Sequence, residues 1–373
     1  MAVPLLDLHF QNAPLLAEMR TAFEQIIDSS RFVLGERVQQ FEQQLAQQCG
    51  TACAVGVSSG TDALLVALMA LGIGPGDEVV TPAFTFFATA GCVQRVGATP
   101  VFVDIDPVTF NMDPDLIEPA LTPRTRAVIP VHLYGQAASM GPIMRVARRH
   151  GLAVIEDAAQ AIAARDGDQR VGSIGDVGCL SFYPTKNLSA LGDAGACVTN
   201  DAELAQRLAC LRVHGQDTKY HHNCIGGNFR IDALQAAMLQ IKLTHLASWT
   251  DARRAAARCY DQLLTGLPLV CPKEADGRYH VYNQYTVRVT GGCRDRLCRH
   301  LARQGIGHEV YYPVPLHLQP CFSHLGTKRG ALPVTEQAAG EVLSLPIYPG
   351  LTRSQQEEVA SEIRRFLAQE GQG

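Results

Sequence analysis

The sequence has no uninterrupted apolar run of the roughly 20 residues that a membrane-crossing helix needs. Its nearest approach, "GCLSFYPTKNLSALG" at residues 178–192, is broken by Pro184, Lys186 and Gly192. Neither sign of charge dominates. The 32 Lys and Arg against 36 Asp and Glu leave a net charge of −4. No footprint for nucleic acid or an anionic membrane surface results, so neither is expected as a partner. No Cys-x-x-Cys occurs among the 12 cysteines. The closest pairs, Cys49 with Cys53 and Cys293 with Cys298, sit in helix- and strand-like surroundings. A small disulfide scaffold is thereby excluded, and mostly reduced, buried thiols of a cytoplasmic protein are expected. The opening "MAVPLLDLHFQNAPLL" lacks the basic start, apolar stretch and cleavage site of a signal peptide. A G-x-x-x-x-G-K-[ST] loop is absent. "GIGPG" at 72–76 precedes a strand instead of following one, so no dinucleotide fingerprint is read there. Internal repeats and low-complexity tracts are missing too.

What is present is the profile of a globular enzyme: 373 residues, 47% hydrophobic and 18% charged, enough for two domains. The first two-thirds alternates helix and strand. "GERVQQFEQQLAQQCG" sets Val38, Phe41 and Leu45 on one helical face and closes on Gly50. "CAVGVSSGTDALLVALMALGIGPGDEVVTPAFTF" reads strand, turn, helix, loop, strand. "ATPVFVDID", "TRAVIPVHLYG" and "GLAVIEDAAQ" are short Val- and Ile-rich runs, the last two separated by the helix "MGPIMRVARRHG". Strands apolar throughout and separated by helices predict an α/β fold, a mostly parallel sheet sandwiched by helices. One long helix is expected over about 232–264. Beyond it, "HVYNQYTVRV", "RDRLCRHLARQG" and "TRSQQEEVASEIRRFLAQ" predict a smaller α+β unit. The expected division is a large domain over 1–250 and a small one over 251–373, with "GQG" at 371–373 frayed.

Such sheets bind ligands beyond the carboxyl ends of their strands. Four segments fall there: Ser58 to Thr61, Phe84 to Phe86, Asp157 to Gln160, and Ser181 to Lys186. "SSGTDALL" is either a phosphate-ready helix start or an ordinary N-cap. Asp157 ends an apolar strand, where a carboxylate needs a cation or donors; a protonated ring nitrogen and an internal salt bridge both answer. Lys186 is a solvated loop charge or a nucleophile, made reactive if burial lowers its pKa. Together, a phosphate-ready turn, an Asp, and a Ser with a Lys suit pyridoxal 5′-phosphate. "HGQDTKYHHNC", with His214, His221, His222 and Cys224, matches no standard zinc spacing, and no metal is expected. Tyr311, Tyr312 and His317, in "HEVYYPVPLHLQPCF", are either aromatic packing or a wall of a binding cleft.

"SSGTDAL", "GDEVVTPAFTFFATA", "VIEDAAQ", "SFYPTKNLSALGDAGACVTND", "RVHGQ", "GGNFRIDALQAAML" and "YYPVPLH" together resemble the DegT/DnrJ/EryC1/StrS family. The resemblance spans nearly the whole chain and implies fold type I, the aspartate aminotransferase-like fold of pyridoxal-phosphate-dependent transferases. It implies that Lys186 forms the internal aldimine and moves the proton, in ping-pong kinetics. Asp157 would pair with the ring nitrogen and Gln160 with the phenolic oxygen, and Phe86 would stack on the ring. Gly60, Thr61 and Ser181 would bind the phosphate. Asn228 would reach the phosphate of a neighbouring subunit, making a homodimer with shared active sites. Lys186 stands where dehydratase members carry histidine, which favours transamination. The implied substrates are a nucleotide-linked keto-sugar, aminated at C3, and L-glutamate as amino donor. C4 amination of a 4-keto-6-deoxy sugar and amination of a keto-cyclitol with glutamine are the implied alternatives. From another class, an inactive cofactor-binding regulator or scaffold remains. Arg230, two places after Asn228, would bind a sugar carboxylate. Tyr311-Tyr312-Pro313 stands where many members read His-Tyr-Pro, and Ser189 where glycine is common.

Overall fold

A computed structural model describes residues 3–370 of the chain; the tail expected to fray lies outside them. Seven strands form the main sheet: β1 (Cys53–Val57), β2 (Glu78–Pro82), β3 (Thr99–Val103), β4 (Thr125–Val128), β5 (Ala153–Asp157), β6 (Val177–Ser181) and β7 (Gly195–Thr199). Their order across the sheet is β1-β7-β6-β5-β4-β2-β3. The pairs from β3 through β6 are parallel, whereas β7 runs antiparallel to both β6 and β1. The expected mostly parallel sheet is therefore present, with an antiparallel flank.

Helices cover both faces, which is why the strands carry apolar residues at successive positions. Val177, Cys179 and Cys197 pack with α3 (Gly60–Ala70), α4 (Phe87–Arg95) and α6 (Ala202–Leu211) on one face. Leu180, Ala196 and Val198, their pleat neighbours, pack on the other with Val38, Phe41 and Leu45 of α2 (Glu36–Cys49) and with α7 (Ala233–Leu243). α2 ends at Gly50 in the left-handed conformation, φ 71°, as its sequence predicts. α1 (Leu16–Ser29) packs Leu15, Met19 and Ile26 against Ala237 and Ile241 of α7. α5 (Met140–His150) precedes β5.

The single helix expected over 232–264 is two, α7 and α8 (Leu246–Leu263). At the break, the Thr244 hydroxyl donates to Ile241 O at 2.8 Å and the His245 N–H bonds only three residues back, to Lys242 O. The side-chain hydroxyl competes for a ladder carbonyl, and the turn tightens and restarts. Beyond α8, β8 (Leu269–Val270), β9 (Tyr285–Val289) and β10 (Val342–Leu345) form an antiparallel sheet in the order β8-β9-β10. Its core gathers Tyr260, Val287, Leu343, and residues of α9 (Arg294–Arg303) and α11 (Arg353–Glu370), with Val3 from the other end of the chain. The intervening segment leaves that core. Phe322 packs on Ala90, and Ala338 and Ala339 of α10 (Pro333–Glu341) pack on Phe84, Phe110 and Val131. It thus lies over the carboxyl ends of β2 and β4, and this placement roofs the site.

All 12 cysteines are free thiols. Only Cys49, Cys92, Cys179, Cys197 and Cys293 are buried, fewer than expected. The others lie on the margins of their elements, where one side of each thiol stays open. Among the described residues no helix is long and apolar enough to cross a membrane, and no three His, Cys, Asp or Glu side chains cluster to hold a metal.

Candidate active site

The strand ends open onto one cavity of about 600 Å³. Gly60, Thr61, Phe86, Asp157, Gln160, Ser181 and Lys186 all line it, joined by Tyr311 and Tyr312 from the roof. Each reaches it for a local reason. Ser59 caps α3, accepting from the Asp62 N–H at 3.0 Å, so the helix begins at Gly60 with free N–H groups facing the cavity floor. Gly60 has to be glycine: a Cβ there would stand 2.6 Å from Ser181 Cβ. The Ser181 hydroxyl is thereby brought against the helix start. Gly195 serves the same turn, since a Cβ would meet the Ser59 carbonyl carbon at 2.4 Å. Small residues, helix N-terminus and hydroxyl form an anion cradle.

Opposite it, β5 delivers Asp157, buried, with one oxygen accepting from the Thr89 hydroxyl at 2.7 Å and the other from the Ala159 N–H at 3.2 Å. Burial raises its pKa, while Thr89, Ala159 and the Lys186 charge pull it down without cancelling that effect. The carboxyl is short of cationic partners. Lys186 sits on the cavity wall in a turn closed by its N–H on Tyr183 O, 2.8 Å. Burial lowers its pKa from 10.5 to about 8, against the opposing pull of Asp157. An amine in that range is available as nucleophile and base near neutrality.

Gln160 is held at both ends, accepting from the Tyr134 N–H at 2.6 Å and donating to the Tyr312 hydroxyl at 3.2 Å. The Tyr312 ring stands 6.2 Å from that of Phe86. Tyr311 and Tyr312 are thus cleft wall rather than simple packing. His317 is not: its ring is fully buried outside the cavity, with Nε2 3.1 Å from Glu336 Oε1. Glu336 also accepts from the Gly330 N–H, so His317 ties the roof segment together instead of meeting substrate. Asn228 and Arg230 also lie outside this chain's cavity, in a strip bridged to Val213 and Val57.

Sequence reasoning missed Thr89, Asp193 and Gln284, of which the last two line the cavity. It also missed a buried pair one residue before Asp157. His132 Nε2 lies 2.9 Å from Glu156 Oε2, and His132 Nδ1 accepts from the Ala138 N–H, so the ring proton is on Nε2. Glu156 takes three further N–H groups, from Gly172, Ile174 and Gly175.

An α/β enzyme that keeps one lysine reactive beside a buried carboxylate, above an anion cradle, is equipped for amino-group transfer. The chain belongs to the DegT/DnrJ/EryC1/StrS aminotransferase family, whose model matches residues 15–364. It is 48% identical over 366 residues to the UDP-N-acetyl-3-dehydro-alpha-D-glucosamine 3-aminotransferase of Acidithiobacillus ferrooxidans, covering 98% of each chain. It is 52% identical over 369 residues to a pleiotropic regulatory protein of Geobacillus stearothermophilus, covering 98% of this chain and 99% of that one. Among solved structures, Streptomyces venezuelae DesV in complex with a ketimine intermediate superposes with a TM-score of 0.95 at 46% identity, covering 98% of each chain.

Proposed function

We propose that the chain transfers an amino group from L-glutamate to C3 of a nucleoside-diphosphate keto-sugar, with pyridoxal 5′-phosphate held in the cavity. The observation that carries this is the convergence of three unlike groups on one floor: the Gly60–Ser181 cradle, the under-compensated Asp157 and the reactive Lys186. The residues fit that cofactor. The α3 N-terminus at Gly60 and Thr61, with the Ser181 hydroxyl, would hold the phosphate. Asp157 would face the ring nitrogen, Gln160 the ring oxygen and Phe86 the ring face. When bound, the cofactor supplies an electron sink for a carbanion at the reacting carbon. Lys186 Nζ, with its lowered pKa, takes and returns the proton there. Thr89 and Ala159 keep the Asp157 carboxylate oriented. The aromatic roof of Tyr311 and Tyr312 keeps water from the floor. Asn228, exposed and outside its own cavity, is suited to reach the cavity of a second copy, so the working unit is a homodimer.

The reading is tested by incubating the enzyme with L-glutamate and nucleotide-linked 3-keto and 4-keto sugars. The amine is then located by NMR and 2-oxoglutarate counted. One 2-oxoglutarate per new C3 amine is expected. An amine at C4 alone overturns the regiochemistry. The name of the Geobacillus relative makes a purely regulatory protein the second reading, and it gains if cofactor binds but no amino donor or keto-sugar is consumed.

Thr89→Val is expected to weaken cofactor affinity by about 10–100-fold, the effect of one hydrogen bond to a charged group. Losing that donor raises the Asp157 pKa further, and the neutral acid no longer pairs with a ring cation. Equilibrium dialysis measures it. An unchanged Kd removes Thr89 from cofactor binding.

A further inference from the structure

A second cavity of about 40 Å³ adjoins the first. Thr185, Gln284 and Tyr311 line both. The volume exceeds the roughly 10–15 Å³ that a single water needs. One side is apolar, formed by Leu5, Leu6, Leu345 and Ile347. On the other is Asn283, 6% exposed. Neither its Nδ2 nor its Oδ1 has a hydrogen-bond partner, and Gln284 Oε1 has none either. Turning the Asn283 carboxamide over exchanges its two atoms and leaves both unpaired. The remaining polar side chain of the β10 wall, Ser344, is already engaged by the Thr286 hydroxyl at 2.7 Å.

The walls are fixed rather than collapsible. Arg253, fully buried, donates to Tyr282 O at 3.2 Å and Ile347 O at 2.9 Å, tying the segment before Asn283 to the opposite wall. The segment carrying Leu5 and Leu6 is anchored by Val3, paired with Gly305 O at 3.0 Å and the Gly307 N–H at 2.7 Å. Buried polar atoms without partners are costly, and a rigid pocket keeps them waiting for a ligand that supplies both a donor and an acceptor. A carboxylate only accepts and an ammonium only donates. A secondary amide does both in one plane, and a methyl on it would meet the leucine and isoleucine side.

Resting on the keto-sugar reading above, we propose that this cavity is a subsite for an acetamido group on the sugar, borne by the carbon next to the one aminated. Thr185 immediately precedes Lys186 and lines both cavities. A substituent one carbon from the reacting centre therefore enters the second cavity. For C3 amination the substrate class is a nucleotide-linked 2-acetamido-3-keto sugar. Asn283 then sets specificity; it is a substrate-binding residue and takes no part in proton transfer.

The test uses the holoenzyme and two pairs of ligands. UDP-linked 3-keto sugars differing only in acetamido or hydroxyl at C2 are compared as substrates, in wild type and Asn283→Leu. UDP-N-acetylglucosamine and UDP-glucose, which lack the ketone, are compared by calorimetry in wild type. We expect wild type to favour the acetamido member of each pair by about tenfold or more, and Asn283→Leu to raise KM for the acetamido substrate by about tenfold. KM for the hydroxyl substrate should stay within about twofold, which also reports that the variant is folded. Equal Kd values for the two non-keto ligands overturn the subsite, whether or not the variant folds. A tenfold loss confined to L-glutamine as amino donor also overturns it, since the amide would then belong to the donor. If neither keto-sugar is aminated while the calorimetric preference holds, it is the proposed reaction that fails and not the subsite.

Discussion

Lys186→Ala is expected to lower kcat by about 10⁴-fold, the upper range for a positioned acid–base group, with little change in stability. The loss is large because no other cavity-lining amine can substitute: Lys186 is the single lysine on its wall. Stability is spared because Lys186 is held through its backbone N–H on Tyr183 O. Its ammonium makes no hydrogen bond or ion pair among the described residues, and removing a cation whose pKa burial has already depressed to about 8 removes a desolvation cost. Lys186→Arg separates charge from reactivity. It keeps the positive charge near Asp157 but cannot give up a proton near neutrality, so it should be as inactive as the alanine variant. Single-turnover amine transfer measures both. An arginine variant with a tenth of wild-type activity would mean that only the charge matters and would sink the acid–base assignment.

Lys186 and its neighbours were legible because the signal is local. Apolar strands stop abruptly at Asp157 and Ser181, and whatever polar residue follows a buried strand must sit at the rim of the sheet. Order along the chain, together with the right-handed parallel crossovers, places those rims on one edge. Gly60 was legible for the same reason: a helix starting directly after a strand leaves its N–H groups on that edge.

Contacts across long sequence separations were not legible. Thr89 lies in the middle of an apolar-looking stretch, "FTFFATAG", and only the fold brings its hydroxyl to Asp157, 68 residues away. Asn283 and Gln284 read as the start of a half-buried strand. Their significance lies in which of their atoms lack partners, a property of packing that no periodicity encodes. His317 failed in the opposite sense: a histidine among tyrosines and prolines resembled a cleft residue, but Glu336, 19 residues on, claims its ring. The break at Thr244 was hidden because neither Thr244 nor His245 is a strong helix breaker, and the hydroxyl's bond to Ile241 O decides the outcome.

The largest stability loss is expected from a residue that does not touch the cavity, Glu156. Its two oxygens are saturated: Oε1 accepts from Ile174 and Gly175 N–H at 2.7 Å each, and Oε2 from Gly172 N–H at 2.8 Å and His132 Nε2 at 2.9 Å. Glu156→Gln preserves size and removes one acceptor, so an NH₂ group faces two N–H donors that have no other partner. Breaking a fully buried pair in this way costs about 3–5 kcal/mol. Chemical denaturation should report that loss through a lowered midpoint at unchanged slope. The pH dependence follows from the direction of the shift. Burial pushes the Glu156 carboxyl up, but the His132 bond and charge and the N–H groups of Gly175 and Gly172 outweigh it, so the pKa falls below its ordinary 4.5. A depressed carboxyl contributes stability that is present above the unfolded pKa and drains away as pH falls through the folded value. Wild type should therefore lose stability on acidification below about pH 5 more steeply than Glu156→Gln, and the gap between them should narrow with falling pH. A gap independent of pH would show that the carboxylate's charge is not what the four donors recognise. Because Glu156 precedes Asp157 on β5, the variant also loosens the strand end that presents Asp157. Its activity should fall even where the protein remains folded.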